Sequence, residues 1–101
     1  MDNVIPLHRR PVGEPEPLWR EALGGQLREE RARRGERIAD VAGRAGVSPQ
    51  YLSELERGRK DSSSEVLSAV SGALGLSVFT LARRAGERLS RRMSGPVCLA
   101  A

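Results

Sequence analysis

The sequence predicts an all-α fold: five short helices, preceded by a disordered N-terminal arm and followed by a flexible C-terminal tail. Three observations carry this. Apolar residues recur three and four apart in successive segments, and no segment shows the alternation of a half-buried strand. The periodic runs are punctuated by Gly35, Gly46, Gly58 and Gly75, placed where helices end, and by serines placed where helices begin. With 101 residues, 39% hydrophobic content and only Trp19, Tyr51 and Phe79 as aromatics, the chain forms one small domain with an aliphatic and alanine core.

The same composition narrows the function. A net charge of +4 suits a polyanionic partner. Three aromatics are too few for the base-stacking platforms of single-strand or RNA binders. The charge is uneven, with residues 83–101 holding five arginines against Glu87 alone. Cys98 is the single cysteine, so no disulfide forms within the chain. No apolar run reaches membrane-spanning length and no signal-peptide core is present, so a cytoplasmic protein is expected. There is no Ser/His/Asp or Cys/His set, no Cys/His metal spacing and no glycine-rich phosphate loop, so neither enzyme activity, metal nor cofactor is expected.

Residues 1–17 contain four prolines and a glycine, a density of breakers that predicts the disordered arm. It holds the lone His8, which has no partner for a metal or catalytic role. Arg9 and Arg10 suit a mobile tail or, alternatively, a minor-groove arm. From Leu18 to Arg34, positions 18, 19, 22, 23 and 27 give helical spacing. Gly24-Gly25 weakens this helix by about 1 kcal/mol per glycine, so a firm helix is expected only from Leu23. Arg28, Glu29, Glu30, Arg33 and Arg34 read as a solvated face, and Arg31 falls on the core side, one turn beyond Leu27. Ile38 to Ala45 forms the second helix, burying Ile38, Val41, Ala42 and Ala45.

Gly46 can take the left-handed conformation that ends a helix. Ser48 is a good N-cap and Pro49 occupies the first helical position, where its missing amide costs nothing. Leu52 and Leu55 share one face, while Gln50, Tyr51, Ser53, Glu54 and Arg57 fall largely off it. Two short helices around a tight glycine turn, the second polar at its N-terminal end, predict a helix-turn-helix. Ser62-x-x-Glu65 has capping-box spacing and opens a fourth helix to Leu74, closed by Gly75. Ser77 caps a fifth, with Val78, Leu81, Ala82 and Ala85 at helical spacing, running towards Arg92. From Ser94 the chain is expected to leave the helix, so residues 93–101 form the tail.

Leu27-Arg28-x-x-Arg31, Gly46-Val47-Ser48, Tyr51-Leu52-Ser53-x-Leu55-Glu56-Arg57-Gly58 and Leu74-Gly75-Leu76-Ser77 resemble the phage-repressor-type (XRE/Cro) DNA-binding domain over about residues 23–82. The segment from Ser48 to Leu67 is similar to the actinobacterial ClgR/PopR regulators, which activate genes of the Clp protease system. The resemblance implies a DNA-binding regulator in which Arg31 pairs with Glu56, tying helix 1 to helix 3. It places Ser48, Pro49, Gln50, Tyr51 and Glu54 in the major groove. Gln50 suits adenine, and Glu54 either accepts from cytosine N4 or pairs with Arg57 or Arg59. Tyr51 packs on a thymine methyl or covers the core. The phosphate set is Arg28, Arg37, Arg57, Arg59 and Lys60. Where the family carries a Ser/Thr cap and a phosphate-contacting Gln, this chain has Arg37 and Ile38. One recognition helix reads few base pairs, so a homodimer on a pseudo-palindromic double-stranded operator is expected, joined through Leu76, Val78, Phe79 and Leu81. Phe79 either anchors that interface or closes the monomer core.

Leu99-Ala100-Ala101 resembles the end of the tag that marks stalled bacterial proteins for ClpX and ClpA, which makes it a candidate degron and the Clp machinery a candidate partner. RNA polymerase is the partner an activator implies. Two other functions fit the same fold: an antitoxin-like module that binds a protein, and a nucleoid protein indifferent to sequence.

Overall fold

The computed structural model describes the backbone of residues 15–100 and the side chains of residues 18–92. Helix α1 spans Pro15–Arg33, α2 Ile38–Ala45, α3 Pro49–Glu56, α4 Ser64–Ala73 and α5 Val78–Ala100. No strand occurs among the described residues. His8, Arg9, Arg10 and Ala101 lie outside them.

Helix α1 starts three residues before the expected Leu18 and takes the last of the predicted arm. Pro15 and Pro17 sit in its first turn, where amides have no intrahelical acceptor and a proline forfeits nothing. Nor does the helix wait for Leu23. Gly24 is buried where α1 crosses the C-terminal end of α3, and a Cβ there would stand 2.4 Å from the Leu55 carbonyl oxygen and 2.6 Å from that of Glu56. The intrinsic weakness of Gly24 is thus a condition of close packing, and tertiary contact overrides propensity. A Cβ on Gly25 would meet the Arg88 guanidinium at 3.2 Å.

The turn between α2 and α3 is built as its residues dictate. Gly46 has φ +75°, and the Val47 amide reaches back to the Ala42 carbonyl at 3.0 Å, closing α2. Ser48 caps α3, its Oγ accepting the Tyr51 amide at 3.0 Å. The α4 cap differs from expectation by one residue. Ser63, not Ser62, is extended at φ −74° and accepts the Val66 amide through Oγ at 3.1 Å. With two adjacent serines, the one whose hydroxyl reaches a free amide takes the cap. Ser77 Oγ accepts the Thr80 amide at 3.0 Å and starts α5.

Helix α5 does not break near Ser94; its backbone stays helical to Ala100. A proline in a helix removes one amide donor and favours a kink, without obliging the chain to leave the helix. The expected tail over 93–101 is therefore helical in backbone as far as Ala100. The side chains of Leu99 and Ala100 lie outside the described residues.

Leu23 and Leu27 of α1, Val41 and Ala42 of α2, Leu52 and Leu55 of α3, Val70 and Leu74 on and just after α4, and Leu81 and Ala85 of α5 form one core. Each buried leucine contributes about 2 kcal/mol by area. Trp19, Ile38, Tyr51 and Leu76 pack at its edge.

Helices α1 and α5 meet along a polar seam. Glu30, expected on a solvated face, is only 4% exposed. Its carboxylate accepts from Arg84 Nη1 at 2.7 Å and Gln26 Nε2 at 2.9 Å, with Arg33 Nη1 at 3.5 Å. Burial alone would raise its pKa; the hydrogen bonds from Arg84 and Gln26, with the charges of Arg84 and Arg33, reverse that and hold it below the ordinary carboxylate value. Further along, Arg88 donates to Gln26 Oε1 at 3.3 Å and to Glu29, and Arg92 pairs with Glu21 at 3.2 Å. The arginines ascend α5 as their partners descend α1, which fixes the two helices antiparallel. The basic excess of residues 83–101 is thereby largely matched by acids on α1.

No single helix is long and apolar enough to cross a membrane. Among the described residues, no group of His, Cys, Asp and Glu is placed to hold a metal.

Candidate nucleic-acid interface

Leu52 and Leu55 seat α3 in the core, which turns its remaining faces outward. Ser48, Pro49 and Gln50 at its N-terminal end are exposed; Tyr51 and Glu54 are half-buried. Ser48, Gln50, Tyr51, Glu54 and Lys60 line one open depression. Four of the five residues assigned to base contact therefore line one depression; Pro49, exposed beside Ser48, does not line it.

A second hollow lies at the other end of α3, lined by Arg28, Arg31, Ile38, Ser53, Glu56 and Arg57. Arg31 and Glu56 form a two-armed pair across it, Nε to Oε2 at 2.8 Å and Nη2 to Oε1 at 2.9 Å. Arg31 Nη1 also donates to the Glu36 carbonyl at 3.1 Å. The hydrogen bonds to Glu56, against the cost of burial, raise the Arg31 pKa above its already high ordinary value. This pair and the Gly24 crossing hold the C-terminal end of α3 on α1 at two points, about two helical turns apart.

The loop after α3 is braced as well. Gly58 takes φ +75° against the Glu21 backbone, where a Cβ would meet Glu21 Cα at 2.9 Å. The Tyr51 hydroxyl donates to the Asp61 carbonyl at 3.1 Å. Arg20 reaches the Gly58 carbonyl at 3.4 Å and Asp61 Oδ1 at 3.3 Å. Arg59 and Lys60 are carried on this loop, between its two fastenings. Tyr51 thus covers the core edge and holds the loop.

Ion pairing divides the cations into two groups. Of the fifteen Lys and Arg side chains described, ten have a carboxylate partner. The five without one among the described residues are Arg28, Arg57, Arg59, Lys60 and Arg91. Four of these surround α3. Arg37, the fifth residue of the phosphate set, is exposed and pairs with Asp40 at 3.4 Å, as weak surface pairs do. It occupies the N-cap of α2 without a side-chain cap bond. Ile38 packs on the core edge while also lining the Arg28–Arg57 hollow.

Of the residues assigned to a dimer surface, Phe79 is 77% exposed and Leu76 and Val78 are half-buried. Leu81 does not belong there. It is fully buried in the monomer core, one turn into α5, and has no surface to offer a partner.

Sequence reasoning missed Gly24, the Arg20 brace and the α1–α5 seam. The seam had a signal: Arg84, Arg88 and Arg92 at four-residue spacing match Glu30, Gln26 and Glu21 in reverse order. Gly24 and Arg20 had none, because each meets distant partners singly and belongs to no repeating pattern.

The model of a helix-turn-helix domain family matches residues 22–83. The transcriptional regulator ClgR of Mycobacterium tuberculosis (strain ATCC 25618 / H37Rv) is 47% identical over 75 residues, 74% of this chain and 67% of that protein. The HTH-type transcriptional regulator DdrOP3 of Deinococcus deserti is 46% identical over 56 residues, which cover 43% of its length. A crystal structure of the clp gene regulator ClgR from Corynebacterium glutamicum matches with a TM-score of 0.77 at 45% identity, over 85% of this chain and 92% of that one. A second structure of that regulator gives 0.69 at 52% identity, over 74% and 96%. By these matches the chain belongs to the helix-turn-helix family of DNA-binding transcriptional regulators, in the ClgR group.

Proposed function

We propose that this protein binds a pseudo-palindromic operator as a homodimer and activates genes of the Clp protease system. The observation that carries DNA contact at α3 is the collection of Arg28, Arg57, Arg59 and Lys60, without ion-pair partners among the described residues, around an open polar helix end. In this reading those four and Arg37 take phosphates, while Ser48, Pro49, Gln50, Glu54 and the Tyr51 ring face base edges. The regulon comes from the Corynebacterium glutamicum relative, which is named as a clp gene regulator. Activation implies contact with RNA polymerase.

The test is capture of genomic duplexes by the purified protein, followed by sequencing. A pseudo-palindrome upstream of Clp genes supports the proposal; a palindrome elsewhere removes the regulon and keeps the regulator. Absence of any enriched sequence removes operator binding, and co-purification with a stoichiometric protein would then favour the antitoxin-like module.

The division of labour on α3 is separately testable. Gln50→Ala relaxes specificity at one position of the site, by about 1–3 kcal/mol of discrimination. Arg57→Ala weakens binding to every sequence and reduces the slope of affinity against salt by about one ion. Titrations on matched and scrambled duplexes at several salt concentrations separate the two; identical behaviour would refute the assignment.

Dimerisation in this reading uses exposed Phe79 with Leu76 and Val78. Phe79→Asp then gives a folded monomer in sedimentation at concentrations where the wild type is dimeric, and an unchanged mass excludes this face. The regulator is itself a Clp substrate through Leu99-Ala100-Ala101. Replacing Ala100-Ala101 by Asp-Asp lengthens its half-life in cells after translation is stopped, and an unaltered half-life removes the degron.

A further inference from the structure

Glu54 is an anomaly of charge. Ten acidic side chains are described, and all but Glu54 and Glu65 have a basic partner within 4.0 Å. Glu65 is exposed in the first turn of α4, where the positive end of the helix suits a carboxylate. Glu54 has no such setting. It lies in the last turn of an eight-residue helix, near the negative end. Arg57, Arg59 and Lys60 follow it closely in sequence, each without a carboxylate partner, and Lys60 lines the same depression. The intrahelical pairing with Arg57 or Arg59 that its spacing allows is not made.

A free carboxylate on a surface that docks on phosphates is a liability. It repels the polyanion and subtracts from the positive field of its neighbours. It is compatible with tight binding only where it meets a donor in the groove. Two base-edge donors are available there, adenine N6 and cytosine N4. Adenine N6 is flanked by the N7 acceptor, which an acceptor-only carboxylate meets unfavourably and which an amide such as Gln50 satisfies. Cytosine N4 is flanked on its open side by the apolar C5 edge. Resting on the reading of α3 as the recognition helix, we infer that Glu54 reads a cytosine and makes one C·G pair obligatory in each half-site. Glu54 lines the same depression as Gln50, about one helical turn further along α3. The required cytosine therefore falls within a few base pairs of the position that Gln50 reads. Glu54 excludes other bases at its own position as much as it attracts cytosine, since a carboxylate facing guanine N7 and O6 or thymine O4 is repelled.

Selection of duplexes from a random pool by the wild type, Glu54→Ala and Glu54→Gln tests this. The wild type is expected to select a site with an invariant cytosine in each half. In Glu54→Ala the preference at that position alone falls about tenfold, and in Glu54→Gln it moves towards adenine. Both variants bind a scrambled duplex more tightly than the wild type, because a negative charge has left the interface. Since the Glu54 side chain holds no ion pair among the described residues, neither variant is expected to lose one on folding, and matched thermal melts verify it. A wild-type site lacking an invariant cytosine, or the same cytosine retained in Glu54→Ala, overturns the inference and leaves the regulator reading intact. No selected motif for the wild type overturns that reading and the inference with it.

Discussion

Gly24→Ala unfolds this domain more than almost any other one-methyl change is expected to. Helix propensity alone predicts the opposite sign, since alanine is about 1 kcal/mol better than glycine inside a helix. The added Cβ, however, would lie 2.4 Å from the Leu55 carbonyl oxygen and 2.6 Å from that of Glu56. Both contacts are backbone, so no rotamer change relieves them. Helix α1 and the end of α3 must separate, which opens the Leu23, Leu52 and Leu55 contacts of the core. Overpacking of this kind costs about 3 kcal/mol or more, a large part of the stability of a small domain. Gly25→Ala is the control. Its Cβ meets only the end of the Arg88 side chain at 3.2 Å, which can move, so the change is close to neutral. Denaturant melts of the two variants decide the matter. If Gly24→Ala is as stable as wild type, the close crossing of α1 and α3 is wrong.

The same residue shows what the sequence reveals and what it conceals. Ser48-Pro49, Gly46 and Gly58 were legible because a cap or a left-handed turn is settled within five residues. The core face of α3 was legible because Leu52 and Leu55 are three apart. Gly24 looked like a flaw because the reason for it is a carbonyl thirty-one positions later. Glu30 looked solvated for a related reason: among charged neighbours nothing local separates a water-facing carboxylate from one docked on Arg84 of a distant helix. The choice between Ser62 and Ser63 turned on backbone angles, and Leu81 on which face of α5 turns to the core. The surface of α3 is a mixed case. Its residue types suit a polyanion, but which cations lack a carboxylate partner among the described residues depends on the partners the others take.

Arg31→Met is expected to lower the unfolding free energy by about 3 kcal/mol, and to do so mainly through Glu56. The Glu56 side chain is 6% exposed and that of Arg31 20%, so the pair is nearly withdrawn from water. Both carboxylate oxygens of Glu56 take a guanidinium hydrogen bond, at 2.8 and 2.9 Å. Removing the arginine leaves a desolvated carboxylate without its counter-charge, and that penalty exceeds the net value of the intact pair. The double variant Arg31→Met/Glu56→Leu removes the stranded charge and should recover most of the loss. The exposed pair of Arg83 with Glu87, half-accessible on both sides, sets the scale: Arg83→Met should cost less than about 1 kcal/mol. At about 4–8 °C per kcal/mol for a domain of this size, Arg31→Met lowers the melting temperature by more than 10 °C. A loss no larger than that of Arg83→Met, or no recovery in the double variant, would show that the pair is not what fastens the end of α3 to α1. Operator affinity measured below the melting transition should fall in Arg31→Met and return only in part in the double variant. An apolar pair restores packing without the fixed geometry of two parallel hydrogen bonds, and in the proposed reading that geometry sets the angle at which α3 meets the groove.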